Sequence, residues 1–286
     1  MLASFNKKIL RDVKIGVVDL LVDYHIHSVG HGERAQTPEN LESFILQGIR
    51  AGMKEIGFCD HDWVAKRPDF PLLKSMQKKY PEIEIRIGIE VDHIIGRDKE
   101  IASFLENQPF DYVLGGIHHL GENNWMFDHP DYKKGYRDRD IDDLYRQYFH
   151  TVEQAVLSGF YQIIAHIDLI KVFGYRPKKP VLMLMGGLLE IIKEKSIAIE
   201  LNTNGFFKPV GEIYPSFEIL QQCRKMGIPV VFGSDAHQFD QVGRKIEEAA
   251  AMAYQAGYRQ IATFKQKELI LRDLDQLVIG SIKKVI

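Results

Sequence analysis

The chain has 286 residues, of which 45% are apolar and 27% charged, and it holds no low-complexity tract. A length of this order suits one α/β barrel, and the composition excludes a disordered chain while supporting a sizeable core. The formal net charge of −2, with acids and bases interspersed, excludes a general attraction to nucleic acid or to an anionic membrane, so an anionic ligand has to be captured locally.

Lys7, Lys8, Arg11, Asp12 and Lys14 precede the first apolar run, and Asp19 interrupts it, so neither a signal peptide nor a membrane span fits. The two cysteines, Cys59 and Cys223, sit in apolar surroundings rather than in a paired framework, which points to the core of a cytoplasmic protein.

Seven short, β-branched apolar runs follow one another: Gly16 to Asp23, Glu55 to Cys59, Ile83 to Glu90, Tyr112 to Ile117, Tyr161 to Ala165, Ile197 to Leu201 and Pro229 to Gly233. Several lack alternation, as parallel strands buried on both faces do. Between them lie segments of helical period with readable ends. Thr37 suits an N-cap before Pro38, Leu41, Phe44, Ile45 and Ile49 share a face, and Gly52 closes the segment. Pro180 opens a helix that turns Leu184, Leu188, Ile191 and Ile192 inward. Ser216 caps one carrying Ile219, Leu220, Cys223 and Met226 before Gly227. Seven βα units with short loops predict a closed or nearly closed barrel, one domain over residues 1–286, with a doubly wound open sheet as the alternative. Residues 121–140 break the rhythm and read as a long loop of the kind that covers a site.

In such a barrel, chemistry collects at the strand C-termini. Asp23-Tyr24-His25-Ile26-His27 ends the first strand, with His31 four residues on, and alternation points His25 and His27 the same way. The following ends supply Asp60, His61 and Asp62; Glu90 and Asp92; His118 and His119; His166; Glu200, Asn202 and Asn204; and Asp235 with His237. A lone histidine is more often a hydrogen-bonded structural residue, but imidazoles and carboxylates at six equivalent strand ends form a metal-ligating set. The donors exceed the needs of one ion, so two or three divalent ions are expected, and the ligand types suit zinc, manganese or iron.

The stretches DYHIHS with His31 following, FCDHD, IGIEVD, GGIHH, AHIDL, ELNTNG and GSDAH span residues 23–237 and resemble the PHP (polymerase and histidinol phosphatase) superfamily. The resemblance implies a distorted seven-stranded (β/α)7 barrel of parallel strands with outer helices, and usually three metal ions. GIHHLG, FDHP, DLIKVFG, NTNGFFK and YPS are similar to segments of its histidinol-phosphate phosphatases, which act late in histidine biosynthesis. By position, the resemblance implies a first metal held by His25, His27, Glu90 and Asp235. It implies a second held by Glu90, His118 and His166, and a third by His31, His61 and His237. Two departures stand out: His119 where tyrosine is frequent, and Phe207 where arginine is common. A phenyl ring cannot replace a guanidinium fork on phosphate, which leaves Lys208 or Arg176 to compensate.

The activity so implied is hydrolysis of a small phosphate ester. A metal pair roughly 3.5–4 Å apart lowers the pKa of a bridging water toward about 7 and aims it at phosphorus. Asp60, Asp62, His119 and Asp128 are the candidates for a general acid. Trp125, Phe127 and Tyr132 can stack on a flat substrate or simply pin the long loop. Asn202 and Asn204 can bind phosphate or stabilise their turn. Nucleotides are the alternative substrates, and an amidohydrolase-like reaction is the alternative chemistry. No nucleic-acid or membrane partner is expected, and nothing in the sequence signals an oligomeric state.

Overall fold

The computed structural model describes residues 21–64, 68–121 and 123–274. The basic N-terminal stretch and residues 16–20 of the first expected strand lie outside the described residues.

Strands β1 (Leu21–Ile26), β2 (Met53–Phe58), β3 (Glu84–Asp92), β4 (Tyr112–Gly116), β7 (Ile163–Ile164), β8 (Ala198–Asn202) and β9 (Val230–Gly233) form one parallel sheet in that order. The ring closes beyond β9. Ala236 bridges Ile26 in parallel, its N–H donating to the His25 carbonyl at 3.1 Å and its own carbonyl accepting from His27 N at 2.8 Å. Every residue of β1, β4, β8 and β9 is buried, which explains why the apolar runs show no alternation. The expected seven-stranded barrel is therefore the fold.

The helices α1 (Pro38–Arg50), α2 (Phe70–Lys79), α3 (Asp98–Leu105), α4 (Ile141–Ser158), α5 (Val181–Leu184), α6 (Leu188–Glu194), α7 (Phe217–Met226) and α8 (Ile246–Ala256) lie between and after the strands. Thr37 Oγ1 accepts from Asn40 N at 3.2 Å, and α1 buries Leu41, Phe44 and Ile45. Two expectations need correction. The helix expected from Pro180 is two short helices, because Gly186 takes a left-handed φ of 57° between α5 and α6. Ser216 precedes α7 without capping it through its side chain; instead its N–H donates to Asp168 Oδ2 at 2.9 Å.

The 121–140 stretch is not structureless. Two antiparallel strands of two residues each, β5 (His119–Leu120) and β6 (Trp125–Met126), pair there, and a 3-10 helix spans Pro130–Tyr136. A C-terminal hairpin, β10 (Gln260–Lys265) with β11 (Glu268–Asp273), was not foreseen from the sequence. It packs Phe264 against Tyr24 and Tyr112, and Phe264 N donates to the Tyr24 hydroxyl at 2.8 Å. Gly57 and Gly88 leave the room that the Tyr112 ring fills, since a Cβ at either would overlap it. Among the described residues no helix is long and apolar enough to cross a membrane.

Candidate metal centre

The parallel register brings the strand C-termini to one end of the barrel, and the ligand-type side chains meet there around Glu90. Its Oε2 lies 3.2 Å from His25 Nε2, 3.4 Å from His27 Nε2 and 3.1 Å from His61 Nδ1. Its Oε1 lies 3.1 Å from His166 Nε2 and 3.7 Å from His118 Nε2. On the far side of His25 and His27, Asp235 Oδ1 is 3.5 Å from His27 Nε2 and 3.3 Å from His237 Nδ1. Three donor groups result, each with its ligand atoms within 4.8 Å of one another: His25, His27 and Asp235; His27, His61 and His237; and His61, Glu90 and His118.

Local backbone geometry serves this convergence. His166 and Asp235 follow the ends of β7 and β9 with φ of 28° and 52°, a region that costs a non-glycine residue free energy and that collects at functional sites. Asp23 ties the opposite ends of the ring together, accepting from Ser234 N at 2.8 Å and from Gly243 N at 2.8 Å. Behind the donors stand two more carboxylates. Glu200 Oε2 accepts the His166 N–H at 2.9 Å, while Oε1 faces His25 Nδ1. Asp92 Oδ1 lies 2.8 Å from His118 Nδ1. Partners of this kind set the tautomer and aim of a metal-ligating imidazole.

The electrostatics oppose uniform protonation. Burial disfavours charge on His25, but the carboxylates around it, Glu200 foremost, raise its pKa well above the ordinary value. Burial, reinforced by His237 and His61, holds His27 well below it. Burial alone would raise the pKa of Glu90, but His25 and His61 outweigh it and keep the carboxyl ionised. His25 Nε2 and His27 Nε2 face each other at 3.0 Å, and the buried His237 Nε2 has no hydrogen-bond partner. Lone pairs converging in a buried space beside ionised carboxylates fit divalent cations better than they fit one another.

The structure sorts the remaining candidates. His31 stands at the rim, its side chain 54% exposed and its ring stacked 4.3 Å from that of His237. The pocket over the donors encloses about 930 Å³, and Asp128, Asn204, Phe207, Lys208 and Tyr132 line it. Asp60, Asp62, His119, Trp125, Phe127, Asn202 and Arg176 do not, each for a visible reason. Asp60 accepts from Ser28 Oγ at 2.7 Å and Val29 N at 2.9 Å, and Asp62 pairs with Arg97 at 2.9 Å. His119 turns toward Asp92, 3.7 Å away. Phe127 is fully buried against Tyr148, and Trp125 packs on Tyr136 and under Arg139, so both pin the loop. Asn202 caps its own turn by accepting from Asn204 N at 3.0 Å. Arg176 pairs with Glu212 at 2.8 Å. Among the lining residues that escaped the sequence reading are Trp63, stacked 5.2 Å from His61, and Arg244. Neither carries a spacing signal that sets it apart from any other aromatic or basic residue.

The PHP domain profile matches residues 23–204. A probable histidinol-phosphatase of Deinococcus radiodurans is 32% identical over 263 residues, covering 87% of this chain and 98% of that protein. The histidinol-phosphatase of Lactococcus lactis is 25% identical over 85% of this chain and 94% of its own. In fold, the chain superposes with a TM-score of 0.71 on the crystal structure of histidinol phosphate phosphatase from Lactococcus lactis, which contains zinc, L-histidinol and phosphate. That pair is 22% identical and covers 87% of this chain and 98% of the other.

Proposed function

The chain belongs to the PHP domain family, and from that premise we propose that its strand-end pocket is a metal-dependent phosphomonoesterase centre hydrolysing L-histidinol phosphate to L-histidinol and inorganic phosphate. The observation that carries the reading is the meeting of His25, His27, His61, Glu90, His118, His166, Asp235 and His237 around one cleft, together with the 32% identity to a probable histidinol-phosphatase over nearly its whole length.

The donor groups suit two or three ions of zinc, manganese or iron. His25, His27, Glu90 and Asp235 serve one, Glu90, His118 and His166 a second, and His61 and His237 a third, with His27 or the rim residue His31 completing it. Bound there, divalent ions supply the activated water and the positive charge that hydrolysis of a phosphate monoester requires. The chain's own residues do the rest. Glu200 and Asp92 hold His25 and His118 in orientation. Asp128 lines the cleft, and burial, set against the pull of His118, pushes its carboxyl upward toward the protonated form that can give a proton to the leaving oxygen. Trp63 and Tyr132 offer exposed aromatic faces at the mouth for an imidazole ring. The buried free thiols of Cys59 and Cys223 agree with a cytoplasmic setting.

The test is metal analysis of the purified chain coupled to a phosphatase panel containing histidinol phosphate and nucleoside monophosphates. Histidinol phosphate is expected to give the highest kcat/KM; a preference of about a hundredfold for a nucleotide would overturn the substrate assignment.

A further inference from the structure

The donor-rich end of the pocket carries almost no permanent positive charge from the protein. Among the described lining residues only Lys208 and Arg244 are permanent cations, and Lys208 is exposed at the rim. Arg244 is half-buried and, among the described residues, has no carboxylate within ion-pair distance. Its Nη2 donates to Asn204 Oδ1 at 2.7 Å, its Nε is buried without a partner, and its guanidinium lies over the Phe207 ring at 4.2 Å.

This is a prepared geometry. Asn204, which accepts from Arg244, donates through Nδ2 to Asp235 Oδ2 at 3.0 Å, so one amide separates the guanidinium from the metal-ligating set. The backbone beneath it is held from two sides: Thr203, just after β8, donates through Oγ1 to the Arg244 carbonyl at 2.8 Å, and the neighbouring Gly243 N donates to Asp23 on β1. Asp235, Asp23 and Asp240 act on the guanidinium only from a distance and do not offset its burial, which lowers its pKa; a stacked guanidinium with spare donors and no carboxylate in contact matches the planar, bidentate demand of a phosphate. An acid in that place would have explained Arg244 as structural; what lies beside it instead is a neutral amide, a phenyl ring and the cleft.

We propose that Arg244, held flat on Phe207 and aimed by Asn204, is the substrate-binding residue that grips the phosphoryl oxygens in this pocket. Phe207 is then the shelf for the cation rather than a loss of phosphate recognition. The inference rests on the reading of the pocket as a phosphomonoesterase site.

The test compares the zinc-loaded full chain with Arg244→Met, Arg244→Lys and Phe207→Ala. It measures inorganic phosphate binding by calorimetry, inhibition by L-histidinol, turnover of histidinol phosphate, and metal content. Arg244→Met is expected to weaken phosphate binding roughly 10- to 100-fold, the loss of a charge-assisted hydrogen bond, with histidinol inhibition and metal content unchanged. Arg244→Lys, which keeps the charge without the fork, is expected to bind phosphate several-fold more weakly than wild type, and it carries the test should the methionine variant fail to fold. Phe207→Ala is expected to weaken phosphate binding by a smaller factor, about threefold, since it removes only the stack. Unchanged phosphate binding in the folded arginine variants, or equal losses for phosphate and histidinol, overturns the proposal. Because phosphate binding is read without turnover, a wild-type chain that cleaves no phosphate ester would reject the proposed function and still leave Arg244 judged on its own.

Discussion

Glu200 Oε1 lies 2.7 Å from His25 Nδ1, with both side chains essentially excluded from solvent. The carboxylate thereby leaves the Nε2 of that ring free to face His27 and Glu90, and its second oxygen fixes the His166 backbone. One acid on β8 thus orients donors from β1 and from the end of β7. Glu200→Gln keeps the shape but weakens this control, and we expect metal affinity or turnover to fall about 10- to 100-fold. Metal titration of the variant monitored by activity checks it, and wild-type affinity and turnover together would show that Glu200 is mere filling.

Asp128 is the one general-acid candidate from the sequence that lines the cleft. Asp128→Asn should lower kcat for histidinol phosphate about 10²- to 10⁴-fold. An ester with a good leaving group, such as p-nitrophenyl phosphate, needs less protonation and should suffer far less. Equal losses on both esters would remove Asp128 from the role.

His93 offers a pH signature away from the ligand set. Its ring is buried with Nδ1 3.0 Å from the Tyr161 hydroxyl, and burial, only partly offset by Asp98, pushes its pKa down to about 4 from an ordinary 6.5. The unfolded chain therefore binds a proton that the native ring refuses. Its contribution is complete above pH 6.5 and is lost as pH falls toward 4, in all roughly 3 kcal/mol. Urea unfolding of metal-free protein at pH 7.5 and pH 4.5 should show a smaller decline in His93→Asn than in wild type, the shared titrations of the other histidines cancelling in the difference. Parallel declines would refute it.

Lys171 is buried with Nζ 2.8 Å from Asp168 Oδ2 and 2.8 Å from the Ile213 carbonyl, joining the segment after β7 to the turn before α7. Lys171→Met leaves Asp168 as an unpaired buried charge and should cost about 3–5 kcal/mol in unfolding free energy. Combining it with Asp168→Asn should recover part of the loss, which a double-mutant cycle measures. Additive effects would argue that the two groups act separately.

Residue order alone determined the barrel and the supply of ligand-type residues at its mouth. Hydrophobic period, N-cap residues and glycine stops are local properties, and parallel strands with short crossovers have few other ways to close. The C-terminal hairpin was missed because its edge strand β11 is only half-buried and shows no clean pattern. Tertiary structure alone decided what each side chain faces. Arg176 and Arg244 look alike in sequence, yet one is paired with Glu212 outside the cleft and the other lines the cleft over Phe207 with no carboxylate in contact. Phe127 and Tyr132, five residues apart, divide in the same way between packing the loop and lining the mouth. Such distinctions depend on which distant segments come to lie within a few ångströms, and no local spacing encodes that.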